Sequence, residues 1–226
     1  MERLTAEKYR ALRRDAEVVE RDAHGEKVLR LASGEYLKLF RVKRLFSSAR
    51  LFPYSRRFAR NAETLRQRGI PTVKNVRSLR IPDIKRTGVL YSPLPGKTFR
   101  QLDTVDHDTA LALGEFIASL HLKGIYFRSL HLGNIVLTPE KNLGLIDIAD
   151  MRFLPVTVPR PWCTGNLNFM LQYPGDRARL KHTFDGFCAG YSRCHPNGDR
   201  VLALEIKGFN PSPEARPGNG VKSPIA

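Results

Sequence analysis

Three short runs near the start of the chain, "EVVER" (17–21), "KVLRL" (27–31) and "EYLKLF" (35–40), restrict its fold more than any other feature. Each is strand-like, and the segments between them, "DAHGE" and "ASG", are hairpin-type connections. Successive strands joined so tightly must pair antiparallel, which predicts a β-meander. A short helix is expected ahead of it over residues 5–14, opening at Thr5, a residue suited to an N-cap.

The next segment differs in kind. The stretch "RVKRLFSSARLFPYSRRFARNAETLRQRG" is strongly basic: from Lys38 to Arg68 there are ten Lys or Arg and a single acid, Glu63. Its propensity is helical on both sides of Pro53, with Gly69 and Pro71 as stops. "GVLYSPLPGKTF" (88–99) reads as a strand ending in a Pro/Gly-rich bend, a natural lobe boundary. Beyond it, "DHDTALALGEFIASLHLKG" is the clearest helix, with Leu113, Phe116, Ile117 and Leu120 at i, i+3, i+4 and i+7 and Gly124 as its stop. "NIVL" (134–137) and "LGLIDI" (143–148) flank the turn "TPEKN" and predict a second hairpin. Helix is expected around 176–193, and the Pro/Gly-rich tail 209–226 is expected to be disordered. The expected fold is α+β and two-lobed, with a small antiparallel β N-lobe over 1–92 and a mainly helical C-lobe over 93–208.

At 226 residues the chain suffices for one sizeable domain or two small lobes. Lys and Arg outnumber Asp and Glu by 38 to 22, a formal +16, which points to an anionic partner, with a basic surface serving solubility alone as the plainer alternative. Three cysteines without C-x-x-C spacing (Cys163, Cys188, Cys194) argue against a disulfide framework and for a reducing compartment. Cys188, Cys194, His195 and His182 match no zinc pattern, and small buried cysteines are the better reading. The start "MERLTAEKYRALRRD" lacks the apolar core of a secretory signal, and no stretch approaches the length of a membrane span, so a soluble or peripheral protein is expected.

The order of certain polar residues carries the chemistry. Lys38 lies between Leu37 and Leu39, where an ammonium is costly unless paired. Glu63 is the lone carboxylate of the basic helix after it, and phosphoryl transfer uses such a lysine–glutamate pair to hold nucleotide phosphates. Asn134 and Asp147 stand at either end of the second hairpin, and an amide oxygen with a carboxylate makes a hard oxygen site suited to Mg²⁺.

With these residues in this order the chain resembles the protein-kinase-like fold, specifically bacterial small-molecule and sugar kinases with an H-x-D-L-H-x-G-N loop. Within that group it most resembles the lipopolysaccharide core (Kdo/WaaP-type) kinases, over roughly residues 17–175. The resemblance rests chiefly on "LHLKGIYFRSLHLGNIVL" and "LGLIDIADMRF", with "ARNAETLRQRGIPTV" as glutamate helix and "YSPLPGKTF" as hinge. It implies ATP and Mg²⁺ as cofactors, Lys38 on the nucleotide phosphates with Glu63 as its partner, Asn134 and Asp147 on the metal, and Tyr91 to Leu94 beside the adenine. It also departs from the family. Phe127 stands where the loop has His, and Ser129 where it has the catalytic Asp. Loss of a general base costs about 10²–10⁴ in rate. His131 and Asp150 are candidate replacements, against loop-holding for His131 and capping or a pairing with Arg152 for Asp150 as their plainer roles. The phosphate loop is reduced too, since "RDAHGEK" supplies one glycine, Gly25.

The mixture of Leu45, Phe46, Leu51 and Phe52 with Lys43, Arg44, Arg50, Arg56 and Arg57 suits an anionic membrane surface or a phosphorylated glycolipid; packing of the N-lobe is the alternative. Nucleic acid is disfavoured as a partner, because no recognition motif or stacking platform is present. Two functions stay open: an ATP-dependent phosphotransferase to a lipopolysaccharide core sugar at the cytoplasmic face of the inner membrane, or a pseudokinase that binds nucleotide or glycolipid and assists core assembly.

Overall fold

The computed structural model describes residues 1–41 and 53–203; the basic run over 42–52 and the tail expected to be disordered lie outside the described residues. The protein is α+β and divides into two compact units, Met1–Gln101 with Phe127–Arg152, and Leu102–Tyr126 with the residues from Phe153 onward.

The first unit opens with β1 (Glu2–Arg3) and α1 (Ala6–Arg14). Thr5 is the N-cap of α1, its side chain accepting from the Lys8 N–H at 3.3 Å. The three expected strands are β2 (Glu17–Asp22), β3 (Gly25–Arg30) and β4 (Tyr36–Arg41), paired antiparallel in sequence order. Next come α2 (Tyr54–Gln67), β5 (Lys74–Ile81) and β6 (Arg86–Ser92). The six strands form one mixed sheet in the order β1-β5-β6-β4-β3-β2, in which only the β1–β5 pair is parallel. At its C-terminus α2 is closed by Gly69 at φ +69°, with the Ile70 N–H bonded to the Leu65 carbonyl and the Gly69 N–H to that of Arg66. A left-handed residue with these two reverse bonds satisfies carbonyls that the helix leaves open.

Alternation along β4 determines the positions of the site residues. Leu37 and Leu39 enter a core with Leu29, Leu31, Leu79, Ile81 and Leu90, covered by Leu4 and by Tyr9 of α1. Burying each leucine contributes about 1.5–3 kcal/mol, so this face dictates the register. Lys38 and Tyr36 therefore emerge on the opposite face, where their cross-strand partners on β6 are Val89 and Tyr91. α2 meets that face: the Phe58 ring lies 5.3 Å from Tyr91.

A small second sheet completes the unit, with β7 (Lys97–Thr98), β9 (Ile135–Leu137) and β10 (Leu143–Leu145) in the order β10-β9-β7. β9 and β10 are the expected hairpin, shorter on its second arm than predicted. The Leu145 N–H donates to the Pro71 carbonyl at 2.9 Å, and the Thr72 hydroxyl to that of Leu145 at 2.6 Å. Gly96 adopts φ +128°, and any Cβ there would collide with the Leu137 carbonyl. These bonds group the loop region 127–152 with the first unit, although in sequence it lies well beyond the bend expected to divide the lobes at residue 92.

In the second unit α3 (His107–Leu122) is the helix expected from the Leu113/Ile117/Leu120 stripe; Phe116 is only partly buried. The chain leaves and re-enters this unit through β8 (Ile125–Phe127) and β11 (Met151–Phe153), then forms α4 (Arg160–Met170), α5 (Pro174–Leu180), α6 (Phe184–Cys194) and α7 (Gly198–Leu202). α3 packs closely on α6 because a Cβ at Gly114 would strike the Phe187 carbonyl and one at Gly190 that of Leu111. The buried His121 lies between Tyr191, whose hydroxyl is 2.8 Å from Nδ1, and Asn166, whose Oδ1 is 3.2 Å from Nε2. All three cysteines are free thiols, with Cys163 buried, Cys188 partly buried and Cys194 exposed, so the expectation of burial holds in full only for Cys163. Among the described residues no helix is long and apolar enough to cross a membrane.

Candidate functional site

The candidate residues read from the sequence all belong to the first unit, where two of them, Lys38 and Asp147, form an ion pair. Lys38 is 6% exposed, and its Nζ donates to Asp147 Oδ1 at 2.5 Å across 109 residues of sequence. The Asp147 side chain is 42% exposed, so the pair has one desolvated member and one open to water. Asp147 also has φ +52°, left-handed backbone that aspartate tolerates better than most residues.

The expected Lys38–Glu63 pair is not what the structure contains. Glu63 is exposed and bonds along its own helix, to Arg66 at 2.6 and 3.0 Å and to Gln67 at 2.9 Å, and the Arg66 guanidinium holds its carboxyl below the usual range. Helix geometry explains the correction. The buried face of α2 carries Ser55, Phe58, Asn61, Ala62 and Leu65. Glu63 stands about 200° around the helix from Asn61, on the solvent side.

Asn61 occupies the inward position instead. It is fully buried, and its Nδ2 donates to the carbonyl of Ile148 at 2.7 Å and of Ala149 at 3.4 Å. Arg57, one turn earlier on the same face, donates through Nη2 to Asp150 Oδ1 at 3.0 Å; Arg128 Nη1 reaches the same oxygen at 3.5 Å. Asp150 is thus paired to Arg57 and Arg128. Asn61 and Arg57 escape a search for lone acids and motif residues. The Phe58/Ala62/Leu65 stripe does place Asn61 on the buried face, and that signal would have singled it out.

Asn134 ends a 3-10 turn (Leu132–Asn134) and is buried. Its Nδ2 donates to the Ser129 carbonyl at 2.9 Å, and its own backbone carbonyl accepts from the Ile146 N–H at 3.0 Å. Asn134 is therefore bonded to the residue immediately before Asp147, at the base of the hairpin. With Nδ2 bonded to the loop, the amide oxygen is the side-chain atom that could ligate a cation. One amide oxygen and one half-exposed carboxylate are hard donors that fit Mg²⁺ arriving with phosphate and water, which usually supply most of its ligands. Among the described residues no group of three or more His, Cys, Asp or Glu is placed to hold a metal ion.

Ser129 is partly buried and contributes its carbonyl to the loop. His131 caps the 3-10 turn, its Nδ1 accepting from the Gly133 N–H at 3.1 Å. That bond takes the ring's lone pair at Nδ1 and assigns the neutral ring's proton to Nε2. Tyr91 stacks on Tyr36 at 6.0 Å; burial, with the Asp147 charge as a smaller contribution, raises its phenol well above the ordinary value and keeps it neutral. Leu94 packs over Gly144 beside Pro71. The "RDAHGEK" segment is a tight β2–β3 hairpin turning at Gly25 (φ +105°), with Arg86 donating to the carbonyls of His24 and Glu26.

No family model matches the chain, and no curated protein matches it in sequence. Among solved structures it is similar to the crystal structure of WbdD, with a TM-score of 0.40 and 14% identity over 86% of this chain. The similarity spans 44% of the WbdD chain, less than half of that protein's length.

Proposed function

We propose that the first unit binds Mg²⁺–ATP in a kinase-like manner and that the protein transfers phosphate to a hydroxyl of a lipopolysaccharide core sugar or another anionic glycolipid at the cytoplasmic face of the inner membrane. The observation that carries this reading is the Lys38–Asp147 pair. A buried ammonium on a strand and the aspartate after a hairpin are the two groups that nucleotide phosphates and their metal require together. In this reading Lys38 holds phosphate oxygens, Tyr91 and Leu94 border the adenine, and Asn134 and Asp147 hold the metal. Mg²⁺ would supply charge neutralisation on the phosphate oxygens. The formal charge of +16 favours an acidic acceptor and an anionic surface.

One observation favours a second reading, a nucleotide-binding pseudokinase. Ser129 has no carboxylate, Nδ1 of His131 is engaged by Gly133, and Asp150 is engaged by Arg57 and Arg128. The two candidate replacements for the base are thus engaged with other residues of the protein. Transfer of labelled phosphate from ATP to isolated lipopolysaccharide core separates the readings. Incorporation by the wild-type chain supports the phosphotransferase. Incorporation only by Ser129→Asp supports the pseudokinase, and failure of both chains to bind Mg²⁺–ATP rejects the nucleotide site.

A further inference from the structure

We propose, resting on the reading that this unit binds Mg²⁺–ATP, that Asn61 is a positioning residue for the metal-ligating Asp147, and that α2 controls the site through this amide rather than through a helix glutamate. Three consecutive residues after Asp147 are held by α2. Asn61 Nδ2 takes the carbonyls of Ile148 and Ala149, and Arg57 takes the Asp150 carboxylate. Lys38 holds Asp147 from the other side, from β4. Asp147 itself sits at φ +52°, backbone that persists where its surroundings hold it there. The carboxylate is therefore aimed by a strand on one side and a helix on the other.

The state of Asn61 shows which of its atoms matter. The side chain is fully buried, yet Oδ1 has no hydrogen-bond partner among the described residues. A buried acceptor without a partner is costly, so packing alone would favour an apolar residue here. What the amide supplies that leucine cannot is the N–H donation to the turn. Release of that donation frees the peptide groups after Asp147 while Lys38 stays fixed on its strand. Metal-dependent binding should then weaken more than metal-independent binding.

The test is calorimetric titration of the full chain with ATP, in Mg²⁺ and separately in EDTA. Asn61→Leu is expected to weaken binding in Mg²⁺ about tenfold, the equivalent of one hydrogen bond, and to leave binding in EDTA within about twofold. Equal loss in both arms, or no loss in either, overturns the inference. A wild-type chain that binds ATP in neither arm overturns the nucleotide reading and this inference with it, an outcome distinct from a variant-specific failure. Should Asn61→Leu not fold, Arg57→Gln cuts the second link at a half-buried position. A selective loss of about threefold in Mg²⁺ supports the role, and its absence refutes it.

Discussion

Removing one partner of the Lys38–Asp147 pair should cost very different amounts depending on which partner goes. Asp147→Asn keeps the side-chain shape and the tolerance for left-handed backbone, but strips the counter-charge from an ammonium that is 7% exposed. Leaving a buried charge without its partner costs about 3–5 kcal/mol, and with this pair open to water on one side the expected loss is near the lower end, about 3 kcal/mol. Lys38→Met keeps the unbranched stem in its apolar setting and removes the charge. The carboxylate left behind is 42% exposed and can be solvated, so the expected loss is about 1 kcal/mol or less. At about 2–4 °C per kcal/mol for a chain of this size, Asp147→Asn lowers Tm by about 6–12 °C and Lys38→Met by no more than about 4 °C. The double variant, with no charge to bury, recovers most of the difference. Urea unfolding followed by far-ultraviolet circular dichroism measures all three. If Lys38→Met costs as much as Asp147→Asn, the claim that desolvation of the lysine dominates this pair is refuted.

Acid should weaken the protein through His121. Burial pushes His121 down to about 4, and the neighbouring His195 is lowered by burial too. A base whose folded-state value is depressed binds fewer protons folded than unfolded. Its contribution is complete above about pH 6.5, is lost as pH falls from there to about 4, and amounts to at most about 3 kcal/mol; a His121→Gln chain whose Tm falls just as steeply over that window would contradict this. Glu63→Ala should shift Tm by less than about 2 °C, since its bonds are to exposed residues of its own helix. A larger drop would show that Glu63 holds more than the α2 surface.

The meander, the β9–β10 hairpin and α3 were legible because their information is local. Tight turns leave successive strands one way to pair, and a 3.6-residue apolar period has one helical face. Lys38 was legible as an ammonium in need of a counter-charge, from its apolar neighbours Leu37 and Leu39, whereas its pairing with Asp147 was not. β5 was not legible: "KNVRSLRI" places Lys74, Arg77 and Arg80 among its apolar residues, and it is a strand because β1 and β6 pair with it on either side. The helix α4 was missed for want of a clear stripe. Glu63 misled because it stands out as the only acid in a basic run, a property that says nothing of which side of α2 it faces.

By itself the sequence determined the order of the meander strands, the polar residues available for the site and the odd serine at position 129. Only the tertiary structure decided their partners. It joined Lys38 to Asp147 across 109 residues, brought Asn61 inward, turned Glu63 outward and committed Asp150 to two arginines. Strand and turn preferences act between near neighbours, whereas the partner of a buried charge depends on which distant group the packed core brings within hydrogen-bonding distance.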